Sequence, residues 1–107
     1  MFKIHKIVGD SMSPTIQEND YVVSHSWLKT RYKKGDIVLI DHTQYLVIIK
    51  RVLRLNNQGE VWLKGDNVNS SVSSEEIGWQ SQDVILGKVF FHVSERKANS
   101  KKKRLNV

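Results

Sequence analysis

Residues 45–55, YLVIIKRVLRL, constrain the fold more than any other stretch of the chain. They are rich in β-branched and large aliphatic residues, a strand composition. Side chains alternate faces along a strand. One face then carries Leu46, Ile48, Lys50, Val52 and Arg54, and the other Tyr45, Val47, Ile49, Arg51, Leu53 and Leu55. Both faces are largely apolar, so the strand is expected to be buried on both sides. Lys50 sits between Ile48 and Val52. Two readings follow. The lysine can carry its amine out to water at a sheet edge, the simpler reading of the strand alone. Or the ammonium is poorly solvated, its pKa falls, and the neutral amine can act as a general base. Arg51 cannot take that role, because arginine stays protonated.

The rest of the chain also reads as strands. Lys3–Val8 is a short one. Tyr21–His25 follows the turn Glu18-Asn-Asp, and Ile37–Ile40 follows Lys33-Lys-Gly-Asp. Asn56-Asn-Gln-Gly turns the long strand back, so Glu60–Lys64 can pair with it as a hairpin. Residues 67–82 are polar and loop-like, and Val84–Val93 is the last strand. Only Pro14–Gln17 reads as a helical turn, with Ser13 able to cap it. Short strands at close spacing predict a mostly β fold with a coiled, partly closed sheet.

A chain of 107 residues is expected to form one domain. No apolar run approaches the roughly 18 residues of a membrane span, and the first residues do not read as a signal peptide. Cysteine is absent, which excludes disulfides and thiol chemistry and fits a reducing compartment. The net charge is +6, but residues 94–107 hold six Lys or Arg against Glu95. That segment therefore carries +5 and the remainder only +1. The expected division is a folded domain over 1–93 and a basic, disordered tail over 94–107. The tail could add weak, salt-sensitive nucleic-acid binding, but the folded part offers no basic face for it. His5, His25, His42 and His92 lack metal-ligand spacing, so no metal or other cofactor is expected. Trp27, Trp62 and Trp79 are scattered, and core or edge packing is their default role. Asp10, Asp20 and Asp36 lie in turns, where aspartate is common.

One stretch is not explained by turn chemistry alone. Gly9 and Asp10 suit a turn, but Ser11-Met12-Ser13-Pro14-Thr15 follows at once. Further on come Asn19-Asp20-Tyr21-Val22-Val23, Lys34-Gly35-Asp36-Ile37-Val38, Ile49-Lys50-Arg51-Val52 and Lys64-Gly65-Asp66-Asn67. In this order the five segments resemble the serine–lysine peptidases that include bacterial type I signal peptidases and the self-cleaving SOS and phage repressors. The resemblance covers roughly residues 7–90.

The resemblance implies a coiled β fold of that superfamily and a serine endopeptidase. Ser11 corresponds to the nucleophile and Lys50 to the general base. The backbone N–H of Ser11 would donate to the oxyanion. Gly9 stands where some signal peptidases place a second, side-chain donor. Ser71 corresponds to the serine that orients the lysine, while Ser73 and Glu75 replace an aspartate and arginine of the family pattern. Asp66 and Asn67 are expected to support the loop. A protein or peptide substrate would bind as an added strand. The groove would be lined by Ile7, Val8, Gly9, Met12, Pro14, Val47, Ile48 and Ile49 and would favour small residues before the cut.

The leading expectation is a cytoplasmic, unanchored processing endopeptidase that removes a leader or propeptide, unless this is an excised domain. The small proteases that mature nickel-containing superoxide dismutase are similar in size. A self-cleaving regulatory domain and a non-catalytic binding module are the alternatives. The oligomeric state is left open, with a dimer possible.

Overall fold

The computed structural model describes residues 1–27, 31–42, 46–67 and 78–94. Its strands are β1 (Phe2–Lys6), β2 (Tyr21–His25), β3 (Ile37–His42), β4 (Leu46–Leu55), β5 (Val61–Lys64), β6 (Trp79–Gln80) and β7 (Ile85–Val93). They form one antiparallel sheet in the order β1-β2-β7-β3-β4-β5-β6. The fold is mostly β, as expected, and β1 and β6 stand at its two ends.

β4 lies between β3 and β5, and the expected burial on both sides holds at its middle, with Ile49 buried on one face and Lys50 and Val52 on the other, while Val47 and Leu53 remain exposed because no other element covers them. Odd residues of β3 and β4 share one face through the register Ile37↔Arg51 and Leu39↔Ile49; even residues share the other through Val38↔Lys50 and Ile40↔Ile48. The odd face joins a core of Ile7, Met12, Ile16, Val22, Leu39 and Ile49. The even face joins a second core of Val38, Ile40, Val52, Val61 and Leu63. Ile7 follows β1, Ile49 lies on β4, and three strands separate β1 from β4 in the sheet. Their shared core therefore requires the sheet to curl. Each buried aliphatic side chain contributes about 1.5–3 kcal/mol relative to exposure. Ile49 is the β4 residue in the core that holds this curl.

Turns follow the sequence closely. Gly35 has φ +95°, which glycine adopts without strain, and its N–H donates to the Val52 carbonyl at 2.8 Å. Asp36 accepts the Lys33 N–H at 2.9 Å and pairs with Lys88 at 3.1 Å. Asp20 is buried and accepts the Gln17 N–H at 2.9 Å. Residues 67–82 depart from the expected loop at their end. Trp79–Gln80 pairs with Val61 and Trp62, and a 3-10 turn follows at Gln82–Val84. Two residues are too few for alternation to show in sequence. The pairing is marked instead by the edge-to-face contact of Trp62 and Trp79, with the Arg54 guanidinium 5.3 and 5.4 Å from the two rings.

Of the segment expected as a basic tail, only Ser94 is described. Among the described residues, no helix is long and apolar enough to cross a membrane.

Candidate active site

The turn after β1 carries Ser11. The β1–β2 ladder extends past Lys6, with the Ile7 N–H on the Asp20 carbonyl and the Asn19 N–H on the Ile7 carbonyl, both at 2.8 Å. Gly9, at φ +87°, then reverses the backbone. Ser13 N–H closes on the Asp10 carbonyl at 3.0 Å and Ile16 N–H on the Met12 carbonyl at 2.9 Å. The expected helical turn is therefore a set of tight turns, and the Ser13–Pro14 bond is cis. Met12 and Ile16 anchor it from below in the first core.

Ser11 ends up half-buried, its hydroxyl donating to the Ile49 carbonyl at 3.4 Å. That contact sets it against the backbone of the residue preceding Lys50. Lys50 is only 2% exposed. Its neighbours on the even face are Val38, Ile48 and Val52. Burial pushes the lysine pKa below its ordinary value, because a low-dielectric surround disfavours the ammonium. The side chain is therefore buried and does not carry its amine out to water at a sheet edge.

Ser11 and Lys50 line one groove of about 350 Å³, together with His5–Asp10, Leu39 and Val47–Ile49. Its two banks are strand edges. β1 pairs, among the described residues, with β2 alone. β5 pairs with β4 only from Arg51 onward, which leaves the Leu46–Lys50 edge outside that ladder. An extended chain laid in the groove faces backbone donors and acceptors on either bank.

Most of the expected groove residues converge here: Ile7, Val8, Gly9, Val47, Ile48 and Ile49 all line it. Met12 and Pro14 do not. Met12 is 1% exposed inside the first core, so it supports the turn from beneath instead of forming a wall. Pro14 lies on the exposed side of the turn. Ser71, Ser73 and Glu75 lie outside the described residues.

A brace holds the turn to the sheet. Asp66 takes a bidentate ion pair from Arg51, with Nε at 2.9 Å and Nη2 at 2.8 Å, and accepts the Thr15 hydroxyl. Asn67 gives its backbone N–H to the Ser11 carbonyl at 2.9 Å and its side-chain amide to the Asp10 carbonyl at 3.1 Å. Arg51 also donates to the Gly35 carbonyl at 2.9 Å. The Arg51 guanidinium holds the Asp66 carboxyl below the usual carboxylate range, and Asp66 raises Arg51 in turn. The sequence marked Asp66 and Asn67 as supports but gave Arg51 no part; its place immediately after Lys50 was the available signal. Alternation puts Lys50 on one face of β4 and the brace on the other.

The curled β domain thus places a serine and a desolvated lysine on one groove. Residues 2–90 match the Peptidase S24-like family, and the chain belongs to it. It is also 31% identical, over 108 aligned positions, to mitochondrial inner membrane protease subunit 1 of Mus musculus. The identity to the Homo sapiens protein of the same name is again 31% over 108 positions. Each match takes in 79% of this chain, which spans 65% of the relative's length.

Proposed function

We propose that this protein is a serine endopeptidase in which Ser11 is the nucleophile and Lys50 the general base. The observation that carries the reading is the convergence of a half-buried hydroxyl and a buried, desolvated amine, 39 positions apart in sequence, on a groove with two strand-edge banks. The neutral amine takes the Ser11 proton as Oγ attacks the scissile carbonyl. The carbonyl π pair moves onto oxygen, and the Ser11 backbone N–H donates to that oxyanion. Collapse expels the amine, which takes the proton back from Lys50 and leaves an acyl-Ser11. Water, deprotonated by Lys50, then releases the acid and regenerates the hydroxyl. Gly9 offers no side-chain donor, and at φ +87° it would hold a serine under strain, so the backbone serves alone.

The substrate is a protein segment bound as an extended strand. Leu39, Ile49 and Ile7 give the groove an apolar lining, and the reading takes small side chains before the cut. A chain without cysteine fits a reducing compartment, and the reading places the enzyme in the cytoplasm, trimming a leader or propeptide. The test is cleavage of a proteome-derived peptide library by wild type, Ser11→Ala and Lys50→Ala. Cuts after small residues, absent from both variants, are expected. Cuts that persist in either variant overturn the assignment.

A further inference from the structure

Four of the five residues of β1 are exposed, and His5 is the half-buried exception. Register explains it. His5 stands opposite Val22, which is fully buried in the first core. Ile7 continues the ladder through the Asp20 carbonyl and joins the same core. Alternation therefore turns His5 and Ile7 to one side, and both line the groove.

The imidazole is not satisfied there. Nδ1 of His5 is buried and has no hydrogen-bond partner among the described residues. A buried polar atom left unpaired is uncommon, because nothing replaces its lost hydration. Nδ1 of His25 is in the same condition, but that ring lies 4.8 Å from Trp27 and 5.7 Å from Phe90, in an aromatic cluster away from the groove. His5 differs in standing at a cavity that a ligand can enter. No hydrogen bond anchors the ring at Nδ1, and the outer torsion of histidine is broad, so the ring can turn this nitrogen toward a bound chain.

The surroundings select the kind of partner. Ser11 meets the Ile49 carbonyl, so the Lys50 end of the groove lies at the turn and His5 stands toward the other end. The groove residues Ile7, Val47, Ile48 and Ile49 are apolar. A carboxylate or ammonium brought among them would lose its hydration at a high cost. Nδ1 presents a lone pair in one neutral tautomer and an N–H in the other. A hydroxyl or carboxamide can donate to the first or accept from the second.

We infer that His5 is a specificity-determining residue that hydrogen-bonds a small, uncharged polar side chain (Ser, Thr or Asn) at one position upstream of the cut. The inference rests on the peptidase reading, in which residues before the cut lie along Ile7–Gly9. His5 extends the same bank away from Ser11. The groove then selects its substrates by one polar position among apolar ones.

The test compares wild type, Ser11→Ala, His5→Phe and His5→Asn on the proteome-derived peptide library. Phenylalanine keeps a flat ring and removes both nitrogens. Asparagine restores a donor and an acceptor close to the backbone. Ser11-dependent cuts by wild type are expected to be enriched in Ser, Thr or Asn at one upstream position. A matched peptide pair, Ser against Ala at that position, should then differ on the order of tenfold in kcat/KM for wild type. The ratio should fall to near one in His5→Phe and recover in part in His5→Asn. Because both peptides meet the same enzyme, a general loss of folding or activity leaves the ratio unmoved. A ratio that stays at the wild-type value in folded His5→Phe overturns the inference. So do Ser11-dependent cuts with no polar preference upstream, and these leave the peptidase reading standing. Cuts that persist in Ser11→Ala, or no cuts at all, defeat the peptidase reading and the inference with it.

Discussion

Under the proposed function, replacing Lys50 with methionine should abolish peptide cleavage, and it should stabilise the fold. Lys50 is 2% exposed among Val38, Ile48 and Val52. Its folded pKa is lowered by desolvation, so the folded state binds fewer protons than the unfolded state between the lowered value and the ordinary one near 10.4. Stability then rises with pH across that window. Below it the fold bears the whole cost of burying or neutralising the amine, about 1.4 kcal/mol for each unit of depression. Methionine fills similar volume, carries no charge and adapts its shape. Ser11 keeps the Ile49 carbonyl as an acceptor, so the exchange leaves the hydroxyl a partner. Substituting buried charged groups with apolar ones gains on the order of 1–4 kcal/mol. In a domain of this size each kcal/mol is worth at least about 4 °C in Tm. The assay is thermal and urea unfolding of both proteins from neutral pH upward. The difference should be largest at neutral pH and shrink as pH approaches the ordinary lysine value. A Lys50→Met protein less stable than wild type at neutral pH, or a pH-independent difference, refutes the desolvation argument.

Other substitutions probe the supports. Asp66→Asn should cost about 1–2 kcal/mol, discounted because Arg51 and Asp66 are partly solvated, and should lower activity by loosening the Ser11 turn. Because the folded Asp66 pKa is depressed, its contribution is complete above the ordinary aspartate value and is lost as pH falls through the folded one, which acid titration of both proteins checks. Gly9→Ala adds no contact within 4 Å but forces φ +87° on a residue with a Cβ, so urea unfolding should show a loss of about 1–2 kcal/mol. Gly87→Ala would place a Cβ 3.1 Å from the His25 carbonyl oxygen, and overpacking of about 1–3 kcal/mol should appear in the same measurement. Met12→Ala should cost about 2–5 kcal/mol as a core truncation, with Tm falling accordingly.

What could be read from the sequence was local. β2, β4 and β5 were legible because alternation and Gly-Asp or Asn-Gln-Gly turns are short-range signals, and their observed ends differ by at most a residue. Lys50 was legible as a candidate because its apolar neighbours at two-residue spacing are visible in the string itself. Met12 was misjudged because a turn residue's direction depends on what packs beneath it, and that core is assembled from four distant segments. The Arg51–Asp66–Thr15 brace was hidden for the same reason: its members come from three segments that meet only once the sheet curls. β6 was too short to leave a periodic trace.

The most direct test of the Ser11–Lys50 claim is intact-mass detection of acylation by a small activated ester, followed by peptide mapping, across pH. The account predicts one adduct, on Ser11, forming faster as pH rises through a midpoint below the ordinary lysine value, and lost in Lys50→Met. An adduct on another residue, or Ser11 acylation at the same rate and pH dependence in Lys50→Met, would contradict it.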